Sequence, residues 1–176
     1  VPIVIGIDNG GEMRISEYSP FTHMEYGGGE GEAYIEFIVL TLKPFIDSVY
    51  RTKPEREFTS VWGSSLGALI STYAAVQYQE VFSKVGSFSP AYWFSDSIYT
   101  YLDTKKIRQQ FKIYMLAGGK ESSMVSVIDD AFNMRDALME KGLKSENIKI
   151  EVDPNGEHNE LFWRNYFKNA FLWLNE

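Results

Sequence analysis

Cysteine is absent from the 176 residues, which excludes a disulfide framework, removes thiolate chemistry and argues against a zinc site. Histidine is nearly absent, with only His23 and His158, so any imidazole that moves a proton is one of two. Positive charge is in short supply: 17 lysines and arginines against 24 aspartates and glutamates leave a formal net charge of -7. No basic cluster offsets that balance, and neither a nucleic acid nor an anionic membrane surface is an expected partner. No apolar run approaches the roughly twenty residues that span a bilayer, and the amino terminus lacks the basic, apolar and small-residue order of a signal peptide. Repeats and low-complexity stretches are missing too. What is present is 44% hydrophobic and 15% aromatic content, enough for one globular domain over residues 1–176 with a sizeable core. The chain starts at Val1 rather than methionine, so a preceding segment that carries an address or part of the fold is expected.

β-branched apolar runs alternate with helical periodicities from end to end, which predicts an α/β fold: a mostly parallel sheet of about five strands with helices on both faces. The strand candidates are residues 2–7, 58–62, 84–88, 112–116 and 148–152, each apolar enough to be buried on both faces. Helical stripes fill the gaps at residues 34–49, with Pro44 expected to kink the first, and at 66–77, 97–108, 126–141 and 160–174. Gly142 follows the fourth as a carboxyl cap. The glycine-rich stretch 25–32 lacks the lysine of a phosphate loop and reads as a mobile loop bordering a cleft.

The run Val61-Trp62-Gly63-Ser64-Ser65-Leu66-Gly67 sets a serine in Gly-x-Ser-x-Gly between a strand pattern and a helix pattern. This is the signature of a nucleophile elbow, whose tight turn strains the serine backbone and needs small neighbours. A serine hydroxyl is a poor nucleophile alone, so a histidine must take its proton and a carboxylate must orient that histidine. Elbow hydrolases order these residues serine, acid, histidine. That order picks His158, in the turn-rich loop after the last strand, over His23, which precedes the serine. Glu121 ends the loop after the fourth strand candidate and is the expected acid. Asp153 competes, although turn formation also accounts for it, and Asp129 and Asp130 read as a solvated helix face. The backbone N–H of Leu66 would face the developing oxyanion.

With Ser65, Glu121 and His158 in order on a βα repeat, the chain resembles the esterase D-like family of the α/β-hydrolase fold, which includes enterochelin, feruloyl and acetylxylan esterases. The likeness is carried by Val4-Ile5-Gly6-Ile7-Asp8-Asn9-Gly10, Arg14, Glu17-Tyr18-Ser19-Pro20, Leu42-Lys43-Pro44-Phe45-Ile46-Asp47, Gly63-Ser64-Ser65-Leu66-Gly67, Phe88-Ser89-Pro90-Ala91-Tyr92-Trp93 and Gly118-Gly119-Lys120-Glu121. Ala68 stands where the family pattern has a further glycine. The resemblance implies hydrolysis of a small-molecule ester, carbohydrate- or siderophore-linked, with no cofactor and no metal. It also implies that the 4–7 strand is the fourth of the full sheet and that amino-terminal strands are missing, among them the one whose loop supplies a second oxyanion donor. If the 4–7 strand shifts to pair with residues 58–62, the second donor is still missing and esterase activity at least about a hundredfold below that of a native-length enzyme is expected. The 4–7 strand should shift to pair with residues 58–62, or pair with a preceding segment or with another copy in a homo-oligomer through its exposed edge. Acyl transfer and a non-catalytic binding module are the alternatives.

Tyr92 and Trp93, after the third strand candidate, form an aromatic wall for a substrate or simply pack. Arg14 is expected to order its loop by pairing with Glu17 or Asp8. The aromatics of residues 163–173 are expected in the core, and Met24, Met115, Met134 and Met139 are expected to fill gaps.

Overall fold

The computed structural model describes residues 2–176. Its centre is a four-stranded parallel sheet in the order β3-β4-β5-β6, comprising β3 (Ser60–Ser64), β4 (Lys84–Phe88), β5 (Lys112–Gly118) and β6 (Ile148–Asp153). Ahead of it lie β1 (Thr22–His23) and β2 (Gly27–Gly28), a short antiparallel hairpin. The helices are α1 (Arg14–Tyr18), α2 (Gly31–Phe37), α3 (Lys43–Val49), α4 (Leu66–Gln77), α5 (Ser97–Asp103), α6 (Val127–Glu140) and α7 (Glu160–Asn175).

Alternation along each strand builds two cores. Val85, Ile113, Met115 and Ala117 face α4 and α6, whereas Phe88, Tyr114 and Leu116 face Phe162, Ala170 and Leu174 of α7. Helix α4 is buried on all sides from Leu66 to Val76, since the sheet lies under it and α1 and α2 also pack against it. Its small residues Gly67, Ala68, Ala74 and Ala75 permit that close approach.

Several sequence expectations change. Residues 2–7 form no strand, and β3 pairs only with β4 among the described residues, so the shift onto residues 58–62 does not occur and the parallel sheet has four strands rather than five. Residues 56–58 close a 3-10 turn, which displaces the strand to Ser60–Ser64 and runs it directly into the elbow. The expected kink at Pro44 is a widened turn, Ile38–Leu42, between α2 and α3, placed where the missing proline N–H leaves the preceding turn without a donor. The third helical stripe stops at Asp103 because Gln79 captures the backbone beyond it: its side chain accepts from Arg108 and Gln109 N–H and donates to the Lys106 carbonyl. The glycine-rich stretch is a structured hairpin. Gly27, Gly28 and Gly29 hold φ of 77°, 108° and 107°, and Gly29 N–H donates to Ser19 O at 2.9 Å. Met115 and Met134 are buried gap-fillers, but Met24 and Met139 are exposed.

Arg14 pairs with neither Glu17 nor Asp8. Its guanidinium lies 5.4 Å above the Tyr18 ring, and the Glu17 carboxylate instead accepts the Gly10 N–H at 2.8 Å. The Glu17 carboxylate ties the loop through a backbone N–H rather than through an ion pair with Arg14.

Candidate active site

Ser65 sits between β3 and α4 with φ 58° and ψ −125°, a conformation that costs a non-glycine residue about 1–3 kcal/mol and must be imposed by its surroundings. Two sets of backbone bonds impose it. Ser65 N–H donates to Phe88 O at the end of β4, and Ser65 O accepts from Ala91 N–H at 3.2 Å and from the first turn of α4. Gly63 makes the turn possible, since a Cβ there would overlap the Gly67 backbone. The Leu66 N–H begins α4 and makes no hydrogen bond among the described residues, so it is a free donor at a helix N-terminus.

Glu121 and His158 come together because the loops after β5 and β6 are laced by backbone bonds. Gly119 N–H donates to Asp153 O and Lys120 N–H to Gly156 O, both at 2.8 Å. Gly118 and Gly156 allow the approach, each lying where the other would meet a Cβ. His158 Nδ1 then stands 2.8 Å from Glu121 Oε2. The Glu121 side chain is 1% exposed and its Oε1 accepts Gly118 N–H at 2.5 Å and the Ser89 hydroxyl at 2.8 Å. The imidazole is exposed and lies edge-on to Trp163 at 5.3 Å. No hydrogen bond joins His158 to Ser65 among the described residues: the structure assembles the acid with the histidine and leaves the serine unlinked to either.

The competing residues have other partners. The Asp153 carboxylate accepts Asn155 N–H at 2.8 Å and the Tyr166 hydroxyl at 3.0 Å, which is turn formation plus an anchor to α7. His23 Nδ1 accepts the Glu25 and Tyr26 N–H groups within the β1–β2 turn, and its ring stacks on Tyr26 at 4.7 Å.

The aromatic wall divides. Tyr92 is fully buried, its hydroxyl bonded to Thr72 at 2.7 Å and Ser87 at 2.9 Å. Burial pushes this phenol up to about 12, against the pull of the two hydroxyls. It is a core residue, its hydroxyl tied to α4 and β4, and it presents no exposed surface to a cleft. Trp93 is 45% exposed, and its N–H is held at 3.0 Å by Asp130, whose carboxyl burial raises above its ordinary value while that N–H lowers it. Asp130 is therefore a tether for the Trp93 segment rather than a solvated helix residue. Two residues at the site escaped sequence reasoning, Ser89 and Trp163. Ser89 carried a signal, being a serine followed by proline at the carboxyl end of a parallel strand; Trp163, one aromatic among several at helical spacing, carried none.

A parallel βα sheet with a strained serine at the strand-to-helix turn and a carboxylate–histidine pair at the carboxyl ends of later strands is the architecture of the α/β hydrolases. The profile of the family described as "Putative esterase" matches residues 1–174, and the chain belongs to that family. It is 26% identical to the uncharacterized protein YbbA of Bacillus subtilis over 183 residues, covering 98% of this chain and 72% of YbbA. The fold is similar to that of the enterobactin esterase FES of Shigella flexneri, with a TM-score of 0.71 at 18% identity over 96% of this chain. It is also similar to an IroE-like serine hydrolase of Shewanella oneidensis, with a TM-score of 0.70 at 19% identity over 89% of this chain. The chain spans 41% of the first structure's length and 55% of the second's.

Proposed function

We propose that residues 1–176 form a single catalytic domain of a carboxylic ester hydrolase working through an acyl-enzyme. The observation that carries this reading is the 2.8 Å contact of His158 Nδ1 with the buried Glu121 carboxylate, made between residues 37 apart in sequence. In the proposed cycle Ser65 Oγ attacks the ester carbonyl carbon and His158 Nε2 takes its proton. Glu121 holds the Nδ1–H tautomer and stabilises the imidazolium, and the Leu66 N–H donates to the oxyanion. Collapse of the tetrahedral species expels the alcohol, which takes the proton from His158. A water then repeats the sequence on the acyl-enzyme and returns the free acid and Ser65. The base-to-nucleophile hydrogen bond is often long without substrate, and the reading requires His158 Nε2 to reach Ser65 Oγ in the substrate complex.

The substrate is a small-molecule ester, with Trp93 lining the approach. One structural relative is an enterobactin esterase, which makes a siderophore-type ester one candidate of that class. A fluorophosphonate probe should label the wild-type chain and fail on Ser65→Ala. Ser65→Ala should also abolish hydrolysis of a short-chain nitrophenyl ester, whereas Ser64→Ala keeps most of it. Equal losses in the two variants, or no labelling of the wild type, would overturn the assignment and favour a non-catalytic domain.

A further inference from the structure

Ser89 is fully buried, has no place in the cycle just described, and yet holds φ at 46°, a conformation serine rarely adopts and one that Pro90 does nothing to favour. Ser65 is the only other described non-glycine residue with positive φ, and the two stand at the same end of the neighbouring strands β3 and β4. The strain at Ser89 turns its side chain toward two groups, while its backbone stays in the sheet. Its N–H continues the β4–β5 ladder by donating to Leu116 O at 2.7 Å. Its Oγ lies 2.8 Å from Glu121 Oε1 and 2.7 Å from Trp163 Nε1.

The direction of these bonds follows from the donor inventory. An indole N–H can only donate and a serine hydroxyl carries one proton. Trp163 therefore occupies an acceptor lone pair of Ser89 Oγ, which leaves that proton for Glu121. The carboxylate Oε1 is thus held by two donors, Ser89 Oγ–H and Gly118 N–H, and its plane is fixed with Oε2 toward His158. A carboxylate with 1% exposure is tolerated only when its lone pairs are bonded in this way. Trp163 acts twice, because the same ring whose N–H sets the serine also packs edge-on against the His158 imidazole at 5.3 Å.

We propose that Ser89 and Trp163 are positioning residues: a relay from Trp163 Nε1–H to Ser89 Oγ–H to Glu121 Oε1 that aims the carboxylate at His158. The proposal deepens the esterase reading and rests on it for the meaning of the aim, though not for the relay itself. The informative variant is Ser89→Gly, since glycine accepts φ 46° without strain and the hydroxymethyl that makes both contacts is lost. Ser89→Gly and Trp163→Phe should each displace or broaden the His158 Nδ1–H proton resonance, while far-UV circular dichroism and thermal midpoint show the fold retained. On a nitrophenyl ester both should lower kcat roughly 10- to 100-fold with KM little changed, less than the roughly 10⁴-fold typical of altering the acid itself. Ser89→Cys, which restores a weak donor, should recover part of the loss. A Ser89→Gly protein that keeps the wild-type resonance would overturn the relay whatever its rate. If wild-type protein takes no fluorophosphonate while Ser89→Gly still moves the resonance, the esterase reading falls and the relay stands.

Discussion

At the scale of single residues, the site separates side chains that act from side chains that hold. Glu121→Gln keeps the shape of the acid but presents an amide to His158 Nδ1, and the imidazole then loses its preferred tautomer. By analogy with the corresponding change in other triads, kcat should fall roughly 10³- to 10⁴-fold, with the fluorophosphonate rate falling in parallel. A loss below tenfold would show that another carboxylate serves His158. The two aromatics after β4 should part in opposite directions. Tyr92→Phe leaves Thr72 and Ser87 without their shared partner and should cost about 1–3 kcal/mol, which for a domain of this size lowers Tm by about 2–4 °C per kcal/mol, with KM unchanged. Trp93→Ala should raise KM and leave Tm nearly where it was. Steady-state kinetics beside a thermal scan reads both, and a KM effect at Tyr92 would return that residue to the substrate wall.

At the scale of elements, the site depends on junctions rather than on strand or helix interiors. The β3–α4 turn closes only because Gly63 carries no side chain. Gly63→Ala drives a methyl into the Gly67 backbone, and since backbone cannot rotate away as a side chain would, the variant should lose at least about 1–3 kcal/mol and its labelling with fluorophosphonate together. Retained labelling at wild-type stability would mean that the elbow is looser than this geometry. Away from the site, the end of α3 is tied by Lys43 and Thr52 to Asp47 at 2.7 Å each. Burial pushes the Asp47 carboxyl upward, but these bonds outweigh it and hold it below its ordinary 3.8. Because the folded value is depressed, the stabilisation is present above the unfolded value and lost as pH falls through the folded one. Lys43→Met should therefore lower Tm modestly at neutrality and change little once pH falls below the folded value, which flattens the acid limb of Tm against pH. An unchanged acid limb would show the tie to be without weight.

At the scale of the whole molecule, the sheet has an open side. β3 pairs with β4 alone, and Ile3, Val4, Ile5 and Ile7 are exposed and unpaired among the described residues. Unpaired N–H and C=O groups beside an apolar segment are a template for strand addition. The 176-residue chain should therefore sediment as a monomer only when dilute and as larger species as its concentration rises. The double variant Ile3→Lys, Ile5→Lys should suppress that association with little loss of secondary structure. A wild-type chain that stays monomeric at every concentration would show the edge to be protected by the fold as it stands.

Much of this architecture was legible in the one-dimensional pattern. The periodicity of residues 66–77 matches α4 from end to end, the apolar run 84–88 matches β4, and the stripe 160–174 lies within α7. These features are local, decided by residues within a turn of one another. The spacing and small residues of Gly-x-Ser-x-Gly between strand and helix patterns belong with them, although the strain at Ser65 is held by Phe88 and Ala91 from the neighbouring strand and its loop. The apolar run 2–7 shows the limit of the same reasoning, since a strand is stable only with a partner and no partner is written in the segment itself. Tertiary structure alone decided which aromatic is buried and which is exposed, as Tyr92 and Trp93 are adjacent and of one type. It also decided the company of Glu121: the loops of β5 and β6 meet through glycine backbones, and Ser89 and Trp163, from two further elements, supply contacts over 32 and 74 residues. Hydrogen-bond partners so far apart leave no periodic trace, because what brings them together is the stacking of parallel strands rather than the spacing of letters.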